Sequence, residues 1–212
     1  MKNSQHLGFW FFLAMLGFLI APMLRTGDSM ERFVTAEIAQ TRAAMGERVG
    51  NGVVSFANGL FENTPLKGVM VAANKASLTD KERQLSIKVA GVGGAVMADL
   101  FNSYMSGLVL QSYVVAMRLA IVMIWLVFLL PFFVAAVYDG LMQRSVKMAE
   151  FGTMRPATFT LAGMIVIPIV AMPVVYLVMP FTMSPLLAPV WAACVALPLS
   201  VLISNSQPIF GR

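Results

Sequence analysis

The chain has 212 residues, 58% of them hydrophobic and only 12% charged, with a mean hydropathy of +0.79. A soluble domain carries about 25% charged residues, so this is the composition of an integral membrane protein. The net charge of +5 is scattered, with no basic helix or aromatic-interleaved patch, so direct nucleic-acid binding is not expected.

Residues 7–24 form the first apolar run, between Lys2 and Arg25. It is long for a signal-peptide core, and Ala21-Pro22-Met23 makes a poor cleavage site. The run therefore predicts an uncleaved transmembrane helix, with the N-tail making up residues 1–25.

Residues 26–112 are the polar region, with eight basic and eight acidic residues. That density of charge suits water rather than lipid. Val34, Ile38, Met45, Val49, Val53, Phe56 and Leu60 recur at helical steps, with Thr41 filling the one gap. They predict one amphipathic helix, weakest at Gly50-Asn51-Gly52 and ended by Asn63-Thr64-Pro65. Thr79-Asp80-Lys81-Glu82 fits a capping box that opens a second helix. The stretch from Val89 to Tyr113 is apolar, but Asp99, Asn102 and Gln111 make it a doubtful span. Ala90, Gly94 and Ala98 are spaced four apart, which suits close helix packing. The glycines match neither a phosphate loop nor a dinucleotide fingerprint.

Residues 119–138 carry no charge and reach about 30 Å as a helix, the thickness of a bilayer core. With residues 113–118 they make the second span, 113–138, with Arg118 near its outer end and Asp139 just beyond its inner end. A basic loop follows at 139–156, and residues 156–211 contain no charged residue. Such a stretch must fold back across the bilayer. Pro180-Phe181-Thr182-Met183-Ser184-Pro185 is the expected turn. It gives a hairpin over 157–204, with helices near 157–179 and 186–204, and leaves a C-tail at 205–212. Pro131, Pro168, Pro173, Pro189 and Pro198 fall inside spans and predict kinks. The fold expected is therefore all-α, with four transmembrane helices and a helical extracytoplasmic region between the first two. Basic short loops favour the cytoplasm, which places both termini and the 139–156 loop there and residues 26–112 outside.

Catalysis is not expected. His6 is the only histidine and Cys194 the only cysteine, so neither a triad nor a His/Cys metal site can be built, and no cofactor is implied. Cys194 reads as buried packing. The spans carry no acid, lysine or histidine, which argues against a coupled transporter. Arg118 reads first as a snorkelling anchor and second as a specific contact. Ala188, Ala192, Ala196 and Ser200 form a small-residue ridge, for packing within the chain or between copies. Asp139, Gly140, Gln143, Arg144, Lys147 and Arg155 gather at the cytoplasmic ends of the spans. They form either an anchor on anionic lipid or a docking surface. If helix two continues past Asp139, Asp139 and Gln143 can pair.

Arg118-Leu119 opening a span, Asp139-Gly140-Leu141-Met142-Gln143-Arg144 closing it, Lys147 three residues on, and then Tyr176-Leu177, Pro180-Phe181-Thr182 and Pro185 make an ordered set. In these motifs the chain resembles the integrating-conjugative-element membrane protein family, over roughly residues 118–204. It departs at Gly152-Thr153-Met154-Arg155, where the family has a Gly-Arg-Glu-Ser run and a later histidine, and in a C-terminus reduced to Arg212. The resemblance implies an inner-membrane component of a conjugative type IV secretion apparatus. Its implied partners are the bilayer and the coupling protein or another component of that apparatus. A homo-oligomer is compatible with it. A small pore or transporter, and an assembly or pilus-associated factor, stay open as alternatives.

Overall fold

A computed structural model describes residues 3–25, 27–63, 65–150 and 156–206. They form seven helices: α1 (Asn3–Leu24), α2 (Gly27–Met45), α3 (Glu47–Asn63), α4 (Leu66–Ala76), α5 (Asp80–Ala149), α6 (Pro156–Val178) and α7 (Leu187–Ser204). No strand occurs among the described residues. By length and apolarity α5, α6 and α7 can each cross a membrane, and the number rises to four if α1 and α2, bent by 117°, are taken together. Only 11% and 6% of the apolar windows of α5 and α6 is buried inside the chain. That surface is turned outward, as lipid-facing helices require.

The chain divides into two compact units, Met1–Ile121 with Val174–Pro185, and Val122–Pro173 with Leu186–Arg212. In the first unit, the single amphipathic helix expected over residues 34–60 is two helices. The break falls at Gly46, whose φ of +81° suits glycine, and not at Gly50-Asn51-Gly52. Gly50 instead serves contact. A Cβ there would lie 2.8 Å from the Arg42 Cα, so its absence lets α3 close against α2.

On α2, Met30, Phe33, Glu37 and Thr41 are buried: Thr41 lies on the expected stripe, whereas Phe33 and Glu37 take the places one position ahead of Val34 and Ile38, which are half-buried. Val53 of the stripe is buried, and Val49 and Phe56 are exposed. Met30, Phe33 and Val114 form a buried apolar cluster, with Val34 and Leu110 against them. α4 had no counterpart in the sequence reading. It is a short helix after Pro65, closed where the Ser77 N–H donates to the Ala73 carbonyl at 2.8 Å.

α5 begins at the expected cap. The Thr79 N–H and hydroxyl both donate to the Glu82 carboxylate at 2.8 Å, which holds that carboxyl below the usual glutamate range. The helix reverses at Gly91 (φ 58°, ψ −140°) and then continues to Ala149. The boundaries expected at 112/113 and 138/139 are therefore not ends of elements. Part of the polar region, the span and the first half of the basic loop lie on one helix. Pro131 is accommodated within it.

The hairpin turn lies where expected. α6 ends at Val178 and α7 starts at Leu187, each within a residue of its expected bound. Lys2, Arg155 and Arg212 lie outside the described residues.

Candidate functional site

Most of the residues singled out in the sequence collect, among the described residues, at two polar clusters, one in each unit.

The first cluster centres on Arg118. Its side chain is 0% exposed, which corrects the reading of a snorkelling anchor. Nε donates to Glu37 Oε1 at 2.8 Å, in a pair buried on both sides. One terminal nitrogen donates to the carbonyls of Tyr176 and Met179, both at 2.7 Å, and the other to that of Phe181 at 2.6 Å. The guanidinium lies 5.1 Å from the Tyr176 ring centroid and 5.6 Å from that of Phe33.

Physical need explains these contacts. Where α6 stops at Val178, its last carbonyls have lost their intrahelical donors and form the negative end of the helix dipole. Arg25 Nε supplies the Pro180 carbonyl at 2.7 Å, and Gln111 Nε2 supplies that of Val178 at 3.2 Å. Three side chains thus satisfy five successive or near-successive carbonyls of the turn. A planar fork that cannot lose its proton suits this better than a lysine would.

Glu37 was not singled out in the sequence. It sits on the buried line of α2 with Thr41, whose hydroxyl donates to the Glu37 carbonyl at 2.8 Å. A carboxylate and a hydroxyl in register with Met30 and Phe33 were the available signal. Glu37 Oε2, Gln111 Oε1 and the Tyr176 hydroxyl are buried with no hydrogen-bond partner among the described residues. Such groups are usual seats of internal water.

The second cluster joins α5 to α7. The expected pair forms: Gln143 Nε2 donates to Asp139 Oδ2 at 2.8 Å. The Ser200 hydroxyl donates to the same oxygen at 2.6 Å. Two turns on, Lys147 Nζ donates to the carbonyl and hydroxyl of Ser204, each at 3.3 Å, and to Asn205 Oδ1 at 3.1 Å. A cation is favourable there, at the C-terminal end of α7.

Gly140 brings the helices together. A Cβ at that position would meet Ile203 Cβ and the Ser200 carbonyl oxygen, both at 2.8 Å. On α7, Ala192, Ala196 and Ser200 are buried, Ala188 is half-buried, and the ridge continues to buried Ser204. Trp191 Nε1 donates to the Ile169 carbonyl at 2.7 Å and its ring meets Phe133, so α7 also fastens α6 to α5. Cys194 is exposed on α7, correcting its reading as buried packing.

Of the turn residues, Pro180 and Phe181 offer carbonyls to the first cluster and Pro185 is buried. Asp139 and Lys147 are occupied with α7. Gln143 is exposed, and Arg144 is half-buried with an Nε that has no partner among the described residues. Among the described residues, no group of three or more His, Cys, Asp or Glu side chains is placed to hold a metal ion. Both clusters do the chemistry of fastening: buried charges and carbonyls are matched, and helices are held in register.

Residues 30–210 match the family model described as IncC plasmid conjugative DNA transfer protein DtrJ-like. The association with conjugative transfer expected from the motifs is thereby borne out. No curated protein and no solved structure matches the chain.

Proposed function

We propose the following role for this chain, which belongs to the DtrJ-like family of conjugative DNA transfer proteins: it is an inner-membrane component of the type IV secretion apparatus and a membrane partner of the coupling protein. The family match over residues 30–210 carries this reading. The outward apolar surfaces of α5, α6 and α7 support the membrane part of it. In this reading the protein crosses the bilayer four times, with both termini and residues 139–155 in the cytoplasm and residues 26–112 outside. It acts by binding, without catalysis and without a cofactor. The exposed and half-buried groups Gln143 and Arg144, beside the fastened Asp139 and Lys147, present its cytoplasmic docking surface.

Two measurements on one strain test it. Deleting the gene lowers DNA transfer, and the gene supplied in trans restores it. In intact cells a membrane-impermeant thiol reagent labels a cysteine placed at Lys75 and spares one at Lys147. Undiminished transfer after deletion refutes the role, and the opposite labelling pattern refutes the topology.

A further inference from the structure

The reversal at Gly91 turns the start of α5 into a helical hairpin whose use is not explained by either cluster. At its base, the Leu78 N–H donates to Asn102 Oδ1 at 2.7 Å while Asn102 Nδ2 donates to the Leu78 carbonyl at 3.1 Å. Midway, Arg83 and Asp99 pair at 2.9 Å. Near the tip, Gly94 lies so close to the Ser86 carbonyl that any Cβ would collide with it. Gly94 and Ala98 are both buried, so the small-residue spacing noted in the sequence closes one arm on the other.

Two apolar features of this hairpin are uncovered. The first is a groove along the arms. Gly94 and Ala98 are buried at its floor, and Val89 and Met97 stand along it, 86% and 70% exposed. The second is a ridge on the second arm. Val92, Val96 and Leu100 recur every four residues, are 82%, 52% and 55% exposed, and do not line the groove. Between Arg83 and Asp99 the only charged residue is Lys88, and it belongs to neither feature. From Leu85 to Phe101 eight large apolar side chains are exposed. At on the order of 100 Å² each they leave about 800 Å² in water, the size of one partner's share in a stable protein interface and more than a monomer usually leaves in one patch.

We propose that a second copy of this chain covers these surfaces, with the Val92–Val96–Leu100 ridge of one hairpin seated in the groove of the next. The chain carries both halves of the fit. A ridge with a four-residue repeat packs into a groove whose own lining repeats every four residues, as Gly93, Met97 and Phe101 do. Ala90, Gly93 and Gly94 add little bulk to that lining and so give the groove depth. Neither surface brings a charge into the contact, and Lys88 and the Arg83–Asp99 pair stay in water. Copies inserted in one bilayer share one orientation, so their hairpins stand parallel and level, as this contact requires. Because ridge and groove are different surfaces, each contact leaves one of each free, and the association repeats until a ring closes. The inference rests on the topology proposed above, in that the hairpin meets water; in lipid it would need no cover.

The test uses the full chain with Cys194→Ser in native membranes, oxidised with copper phenanthroline. Leu85 of the groove and Val96 of the ridge lie at one level, both between the Arg83–Asp99 and Ser86–Gly94 contacts. A copy with Val96→Cys and a differently tagged copy with Leu85→Cys should therefore link to each other, and neither should link to itself. Both cysteines in one chain should give a ladder of multimers. Adding Val92→Glu should remove the ladder while the melting temperature in detergent stays at the parent value, since Val92 is 82% exposed. Adding Val89→Lys as well, at the level of Val92, should restore it. Monomers alone after oxidation overturn the proposal. Links to another protein in place of the second copy overturn it too, as do a ladder that Val92→Glu leaves unchanged and a doubly substituted chain that stops at dimers. Lys81→Cys, exposed and off both surfaces, reads the topology separately. Its labelling by a membrane-impermeant thiol reagent without multimers refutes the association alone, and multimers with Lys81→Cys unlabelled refute the topology alone.

Discussion

Arg118 and Glu37 show how much rests on single residues. Eighty-one positions apart in sequence, they form a pair with side-chain exposure of 0% and 1%. Removing one member of such a pair strands the other, at a cost of about 3–5 kcal/mol. Glu37→Leu should therefore lower the detergent-solubilised melting temperature and the folded yield. Arg118→Lys should do so too, because an ammonium cannot reach the carboxylate and three carbonyls from one plane. Replacing both by apolar residues should recover part of the loss, and a double-mutant cycle reads the coupling. Single variants that melt like the parent would mean the pair does not hold the turn. Gly140→Ala tests the second cluster on the same scale: its methyl meets Ile203 and the Ser200 carbonyl, and overpacking of this kind costs about 1–3 kcal/mol.

At the scale of elements, the legible features were those written locally. Pro180 and Pro185 bracket the turn between α6 and α7, and the Thr79–Glu82 cap opens α5. The pairing of Asp139 with Gln143 follows from helical spacing alone. What was not legible depends on residues distant in sequence. On α2 the buried Glu37 is the partner of Arg118, 81 positions away, and with Phe33 it takes the places one position ahead of Val34 and Ile38. Gly46 and Gly50 look alike in sequence. Only the packing of α3 on Arg42 decides that one breaks the helix and the other serves contact.

The cap also makes a pH prediction. The Glu82 carboxyl is held below its ordinary range by the Thr79 N–H and hydroxyl. A group depressed on folding contributes its stability above its unfolded pKa and loses it as pH falls through the folded value. Protection of the amides at residues 79–83, relative to their intrinsic exchange rates, should therefore decrease below the ordinary glutamate range, about pH 4.3. Glu82→Gln should remove that pH dependence. Protection factors that do not change with pH in the parent would show that the cap does not persist in solution.

For the whole molecule, the motif residues prove to be mainly fasteners. Arg118 is locked on the turn, and Asp139 and Lys147 are locked on α7. If this end of the molecule docks a partner, Gln143 and Arg144 are the members of the set that, among the described residues, are not fastened to α7. If Arg144 only anchors the protein on anionic lipid, charge suffices and Arg144→Lys is harmless. If it docks a partner through its planar fork, Arg144→Lys lowers DNA transfer while insertion and abundance stay normal. The docking account expects the second result, read as transfer frequency beside an immunoblot of the membrane fraction.

The most direct test of partnership is a photo-crosslinking amino acid at Gln143, in cells actively transferring DNA. The account predicts a covalent adduct with the coupling protein, identified by mass spectrometry and lost in Arg144→Ala. Crosslinks to lipid alone, in cells whose transfer is undiminished, would contradict it.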